Sequence, residues 1–259
     1  LQSGNEFFFL EMNTRLQVEH PVTEFITGVD LVQEQLRIAA GLPLRISQEQ
    51  VAPRGWAIEA RIYSEDPANG FLPATGPLRI WRPPEGPGIR LDSGVREGDN
   101  AGIEFDPMLA KVIVHAPTRR EAALRLARIL GTTRIQGLTT NRDFLVSVLK
   151  TPEFIAGDTT TDFINRINPS RVYAPNHADL VDAAIAVAMK AQENHRNAAK
   201  VLKTIQSGWR NTSMPPESVT LQDGNTAITI QYRSQRDGRF LVTVKDVSYR
   251  VRINPSRKI

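Results

Sequence analysis

The most constraining feature of this chain is a stretch near its start in which polar and apolar residues alternate without a break. Glu11, Asn13, Arg15, Gln17 and Glu19 occupy every second position, and Met12, Thr14, Leu16 and Val18 fall between them. A period of two is the signature of extended backbone, whose successive side chains leave on opposite faces. If the stretch is extended, five functional side chains share one face. The preceding run Phe7-Phe8-Phe9-Leu10-Glu11-Met12 reads as a buried strand, because a short aromatic run beside Gly4 suits a sheet interior better than a helix.

The chemistry of that face can be read without further information. A carboxylate and a carboxamide two residues apart are hard oxygen donors of the kind Mg²⁺ takes when it shares its remaining positions with water and nucleotide phosphates. Arg15 adds a fixed cationic fork for an anion, and Glu19 a second carboxylate able to act as a base. Together they suit a phosphoryl-transfer or acyl-phosphate site. The same alternation also describes an exposed strand face whose charges merely balance, and the pattern alone leaves the two readings equally open.

The whole chain of 259 residues sets the context. Lys and Arg total 32 against 28 Asp and Glu, with the signs interspersed, so no basic block indicates nucleic-acid binding. Cysteine is absent, which removes disulfides, thiolate metal sites and cysteine nucleophiles. No apolar run approaches the roughly 20 residues of a membrane span. The chain opens on Leu1 rather than Met and stops at Ile259 in mid-pattern, so we expect sequence beyond both ends.

Asp30 to Ala40 reads as a helix capped by Asp30 and stopped by Gly41. Trp56 to Ile62 returns to period two, with Ile58, Ala60 and Ile62 opposite Glu59 and Arg61. Gly- and Pro-punctuated apolar runs at Leu78 to Trp81, Ile89 to Leu91 and Leu109 to Val114 suggest an antiparallel sheet with long turns. Thr118-Arg119-Arg120-Glu121 has the form of a capping box, opening a helix to about Leu130 that Gly131 ends. A second helix is expected from Asn141 to Leu149. Composition shifts after Asn168-Pro169-Ser170, and a domain boundary is placed there, giving domains 1–168 and 169–259. Asp179 to Lys203 is expected as one long helix, followed by a polar linker through Pro215-Pro216. Strands then follow at Val219 to Leu221, Ala227 to Tyr232, Phe240 to Val244 and Tyr249 to Ile253, with hairpin signals at Asp223-Gly224 and Asp237-Gly238. The fold class is therefore α+β.

The string Glu11-Met12-Asn13-Thr14-Arg15-Leu16-Gln17-Val18-Glu19-His20-Pro21-Val22-Thr23-Glu24 closely resembles the signature of biotin carboxylases within the ATP-grasp superfamily. Many ATP-grasp enzymes share only Glu-x-Asn, so Gln17-Val18-Glu19-His20-Pro21 discriminates. Glu59-Ala60-Arg61, Glu65-Asp66-Pro67, Phe71 to Gly76, Phe105 to Lys111 and Gly137 to Asn141 match in the same order, and the resemblance covers about residues 4 to 165. It implies the end of an ATP-grasp domain and the antiparallel sheet with helices of the biotin carboxylase C-terminal domain, followed by a long helix and a β-meander module.

The resemblance also implies roles. Glu11 and Asn13 would hold the Mg²⁺ (or Mn²⁺) that bridges ATP phosphates. Arg15, Gln17 and the Val18 amide would bind bicarbonate, with Arg15 also stabilising carboxyphosphate, and Glu19 would take the bicarbonate proton. Arg61 would stabilise the enolate oxygen of biotin, whose N1′ is carboxylated. Biotin itself would ride on a carrier domain outside this chain. Residues 169–259 look most like the docking module of 3-methylcrotonyl-CoA carboxylase α subunits, with propionyl- and acetyl-CoA carboxylases, or a non-catalytic docking scaffold, as alternatives. The implied partners are a carboxyltransferase β subunit, the biotin carboxyl carrier domain, ATP and bicarbonate, in an oligomeric enzyme. A eukaryotic source would imply the mitochondrial matrix, any other the cytoplasm. The full-length parent is expected to be an ATP-dependent C–N ligase, and the piece alone inactive.

Other residues read more plainly. His20 before Pro21, Lys111 with Asp106, and Arg90 after a Gly-Pro-Gly turn are taken as structural. Ala188-Met189-Lys190 resembles a biotinylated Ala-Met-Lys-Met motif, but the helical spacing of Val181, Ile185, Ala188 and Met189 puts it inside a helix, so Lys190 is not expected to carry biotin.

Overall fold

The computed structural model describes residues 2–102, 104, 106–201, 215–223 and 226–254. The chain divides into two compact units, Leu1–Tyr173 and Ala174–Ile259.

In the first unit, the alternating start is not carried by a ladder. Gln2–Ser3 pairs with Glu6–Phe7, and no regular structure covers residues 8–17. Phe7, Phe8, Phe9, Leu10 and Met12 are exposed, which corrects the expectation of a buried strand. Its physical reason is that, among the described residues, this stretch gains no cross-strand neighbour beyond that two-residue pair.

Helix α1 (His20–Thr27) follows directly and was not expected. Its signals are visible in retrospect: Pro21 sits in the first turn, where its missing N–H costs nothing, and Gly28 closes the helix at φ 75°. Helix α2 (Leu31–Ala39) starts where expected, with the Asp30 carboxylate accepting from Gln33 N at 2.8 Å.

The strands that organise the unit are β1 (Trp56–Tyr63), β2 (Ile80–Arg82), β3 (Ile89–Ser93) and β4 (Met108–Ala116). β4 is central, antiparallel to β1 on one side and β3 on the other, with a bulge between Met108 and Ala110. At the start of β1, Gly55 has φ 67°, and a Cβ there would lie 2.6 Å from Ala116 O, so only glycine fits that turn. Helix α3 (Arg119–Thr132) carries the expected capping box, with Glu121 N donating to Thr118 Oγ1 and Thr118 N to Glu121 Oε2. It runs past Gly131, because Ile129 and Leu130 are still buried and the Thr133 N–H continues the helical pattern onto the Ile129 carbonyl. After β5 (Arg134–Gln136), which pairs with β2, come α4 (Arg142–Lys150), α5 (Pro152–Ala156) and α6 (Phe163–Ile167).

The period-two pattern of the sheet gives it two unlike faces. Ala60, Ile62, Val112 and Val114 point one way, into a core shared with Ala122, Leu126 and Leu130 of α3. The opposite face is polar, and α1 packs against it.

The second unit is α7 (His177–Ala198) and a meander of β6 (Glu217–Asp223), β7 (Thr226–Ser234), β8 (Phe240–Val244) and β9 (Val247–Val251) in that spatial order. Asn176 caps α7 by accepting from Asp179 N. Alternate residues Ile228, Ile230 and Tyr232 of β7 and Phe240, Val242 and Val244 of β8 meet Val181, Ala184, Ile185, Ala188 and Met189 of α7 in one core. α7 ends at Ala198, not at Lys203, and the expected linker falls largely on residues 202–214, outside the described residues, as does Gly224 of the Asp223-Gly224 turn. Gly238 of the other hairpin adopts φ 77°. Ala188 and Met189 are buried, and the exposed Lys190 pairs with Glu193 at 2.6 Å, consistent with a helical residue.

Candidate functional site

Strand register builds the site. Lys111 lies opposite Arg61 on β1 and opposite Asp92 on β3, so the three form one row across the sheet. Ile113 lies opposite Glu59 and Arg90, forming the next row on the same face. Segment 15–24 runs over this charged grid.

Glu19, at the N-cap of α1, meets the grid at Arg61: Arg61 Nη2 donates to Glu19 Oε2 at 2.8 Å. The same guanidinium donates through Nε to Glu59 Oε1 at 3.3 Å. The two carboxylates differ sharply in setting, since Glu19 is 54% exposed and Glu59 only 5%. Burial pushes the Glu59 carboxyl above its usual range in spite of the Arg61 hydrogen bond and the nearby Lys111 ammonium. Its Oε2 is buried and, among the described residues, accepts no hydrogen bond.

Two more links hold the segment. Lys111 Nζ donates to the Val18 carbonyl at 2.8 Å and pairs with Asp92 at 3.2 Å. Arg90 donates to Asp92 at 2.9 and 3.1 Å and to Glu24 of α1 at 2.6 Å. Burial raises the Asp92 carboxyl, but the hydrogen bonds from Arg90 and Lys111 outweigh it and leave Asp92 below the usual carboxylate range. His20 Nδ1 donates to the Gln17 carbonyl at 2.7 Å, so its role is to tie the turn.

Of the residues singled out in the sequence, Arg15, Gln17 and Glu19 line one cavity of about 380 Å³, together with Leu31, Glu34, Ile38 and Leu44 among others. Arg61 reaches it through Glu19. Arg15 Nη1 donates to the Leu16 carbonyl at 3.4 Å. Glu11 and Asn13 are held to each other, Asn13 Nδ2 lying 3.5 Å from Glu11 Oε1, and do not line that cavity. Their donors suit a hard cation: rotating the Asn13 amide would set its oxygen beside the Glu11 carboxylate, and two protein oxygens suffice for an ion that keeps water and phosphate ligands. Among the described residues, no group of three or more His, Cys, Asp and Glu gathers into a metal cage.

Sequence reasoning passed over Glu59, Asp92 and Asn141 and gave Lys111 and Arg90 a bland reading. Asn141, 6% exposed, accepts from Tyr63 N at 2.9 Å and donates to Arg61 O at 3.2 Å, fixing the backbone that carries Arg61. Period-two patterning marks Glu59 and Asp92 as lying on the same strand faces as Arg61 and Arg90, a local signal, but their partnership depends on register across distant strands.

Comparison with known proteins places these residues in a family context. Residues 59–166 match the family described as Biotin carboxylase C-terminal domain, and residues 1–47 match the Carbamoyl-phosphate synthase L chain, ATP binding domain. The methylcrotonoyl-CoA carboxylase subunit alpha, mitochondrial, of Mus musculus is 40% identical over 263 residues, covering 97% of this chain and 36% of the relative. The propionyl-CoA carboxylase alpha chain of Ruegeria pomeroyi is 43% identical over 222 residues, covering 78% of this chain and 32% of the relative. Among solved structures, the biotin carboxylase domain of the Hydrogenobacter thermophilus 2-oxoglutarate carboxylase, a dimer in complex with MgADP, ADP and bicarbonate, is 42% identical with a TM-score of 0.63, over 65% of this chain and 37% of its own. The chain thus spans about a third of the length of the curated relatives it matches.

Proposed function

From the premise that this chain belongs to the biotin carboxylase family, we propose that it forms part of the ATP-dependent component of a biotin-dependent carboxylase, which activates bicarbonate and carboxylates biotin on a carrier domain. The observation that carries this reading is the convergence of Arg15, Gln17 and Glu19 on one cavity, with Glu19 paired to Arg61.

On this reading, Arg15, Gln17 and the Val18 amide bind bicarbonate, and Glu19 takes its proton, generating the nucleophile that attacks the γ-phosphate of ATP. Arg61 keeps the Glu19 carboxylate aimed until that transfer. Once Glu19 is neutral its hold on Nη2 weakens, while Nε stays on Glu59, so the guanidinium is released toward the enolate oxygen of biotin without losing its orientation. Glu11 and Asn13 would hold Mg²⁺ or Mn²⁺, which when bound neutralises charge on the nucleotide phosphates.

The finer assignment is to a 3-methylcrotonyl-CoA carboxylase α subunit. It is supported by the match to the mouse methylcrotonoyl-CoA relative, which extends over 97% of the chain and so takes in most of the second unit, against 78% for the bacterial propionyl-CoA relative. In this reading Ala174–Ile259 docks the subunit on its carboxyltransferase β partner, in an oligomer. The mitochondrial relatives favour the matrix for a eukaryotic source. No helix among the described residues is long and apolar enough to cross a membrane.

Glu19→Gln in the intact α subunit tests the chemistry. Carboxylation of free biotin should fall at least about a hundredfold with assembly unchanged; full activity would refute the role of Glu19. Deleting residues 174–259 should impair binding to the β subunit and spare carboxylation of free biotin. The isolated chain should show no ATP cleavage that depends on bicarbonate and biotin.

A further inference from the structure

Lysine is among the residues least often covered from solvent, and a covered one needs partners for its ammonium. The Lys111 side chain is only 12% exposed. It lies in the middle strand of the sheet, so its position is fixed by ladders on both sides. Its ammonium makes a charged contact to Asp92 and a charge-assisted hydrogen bond to a backbone carbonyl, that of Val18, 93 residues away in sequence.

That carbonyl sits between two residues assigned above to bicarbonate. The segment is tethered at four points: the Gln17 carbonyl by His20, the Val18 carbonyl by Lys111, the Glu19 carboxylate by Arg61 and the Glu24 carboxylate by Arg90. Three of the four tethers come from the charged grid on the sheet. Holding the Val18 carbonyl fixes the plane of the peptide that joins Val18 to Glu19. With the Gln17 carbonyl also held, the Val18 amide and the Gln17 and Glu19 side chains have little freedom left. Asp92, itself clamped by Arg90, fixes where the ammonium can stand.

We infer that Lys111 is a positioning residue that shapes the bicarbonate-binding turn by holding the Val18 carbonyl, with Asp92 fixing its ammonium. The inference rests on the function proposed above and deepens it: the sheet of the C-terminal domain sets the affinity of a site carried by the segment before α1. Lys111 does not touch substrate in this arrangement, so its loss should act on bicarbonate and not on nucleotide.

The test is steady-state kinetics of bicarbonate-dependent ATP cleavage by the intact carboxylase, with Lys111→Met, Lys111→Arg and Asp92→Asn beside the parent. Lys111→Met should raise the KM for bicarbonate about tenfold, the value of one charge-assisted hydrogen bond, and change the KM for ATP less than about twofold. Lys111→Arg, which keeps a cationic donor, should recover a substantial part of the bicarbonate KM. Asp92→Asn should raise it by a smaller factor, and its effect should not add to that of Lys111→Met. The inference is overturned if the bicarbonate KM of Lys111→Met stays within twofold of the parent, if both KM values rise together, or if arginine recovers nothing. Should Lys111→Met fail to fold, Asp92→Asn decides alone, an unchanged bicarbonate KM counting against the inference. A parent enzyme without bicarbonate-dependent ATP cleavage would instead overturn the underlying function, and this inference with it.

Discussion

Arg61 stands between two carboxylates that should respond very differently to its removal, and a mutant cycle can separate them. Glu19 is 54% exposed and Arg61 38% exposed, and exposed ion pairs contribute about 0.2–1 kcal/mol even at good geometry. Glu59 is 5% exposed, and Arg61 Nε is the hydrogen-bond donor it faces. Removing that donor leaves a buried carboxylate short of a partner, at a cost of about 2 kcal/mol. Arg61→Ala should therefore destabilise the first unit by about 2 kcal/mol, and Glu19→Gln by no more than about 0.5. The coupling between Arg61 and Glu19 should stay below about 1 kcal/mol. Combining Arg61→Ala with Glu59→Gln should return most of the loss, because the buried charge goes with its partner. The assay is urea unfolding followed by the fluorescence of Trp56 and Trp81, both in the first unit, in a Trp209→Phe background that silences the third tryptophan. A coupling above about 2 kcal/mol between Arg61 and Glu19, or no relief from Glu59→Gln, would refute the reasoning and make the exposed pair a structural strut.

Two further outcomes follow from the same geometry. Asn141→Ala removes the side chain that both accepts from Tyr63 N and donates to Arg61 O inside a buried site; it should cost about 2–3 kcal/mol in denaturant unfolding, and a loss below about 0.5 would show that water replaces it freely. Asp92 is held below the usual carboxylate range, so its contribution is present above about pH 4 and is lost as pH falls through its lower folded value. The melting temperature should accordingly fall less steeply below about pH 4 in Asp92→Asn than in the parent, and parallel slopes would contradict the assignment.

Where a signal lies within a few residues, it was legible in the sequence. The Thr118–Glu121 capping box, the Asp30 cap and the alternation along Trp56–Tyr63 depend on contacts at most one turn away, and the structure places each as expected. Spacing within a single helix also placed Ala188-Met189-Lys190 inside a helix, and there Ala188 and Met189 face the core. The aromatic run at Phe7 to Phe9 shows the limit: apolar composition fixes a preference for cover, but cover must come from elsewhere, and here those rings are exposed. Helix α1 was hidden by an alternation that suggested extended chain up to Val18, although Pro21 and Gly28 bracket it.

The candidate site was legible in parts for the same reason. Arg15, Gln17 and Glu19 are neighbours along the chain, and one cavity gathers them. Arg61, Lys111 and Asp92 come together only because strands from three distant stretches pair in a particular register, and no local pattern announces that pairing.

The bulge between Met108 and Ala110 gives the central strand a further property. Beyond it, each residue of β4 is either lipophilic on the core side or aligned with the charged side, so a slip by one position would drive the Lys111 ammonium in among aliphatic groups and turn Val112 toward Asp92 and Arg61. The irregularity absorbs one residue at the strand's mouth and so locks the frame downstream. Point changes along this strand should be absorbed far more readily than the gain or loss of a single amino acid, which would shift every later side chain to the wrong side of the sheet at once.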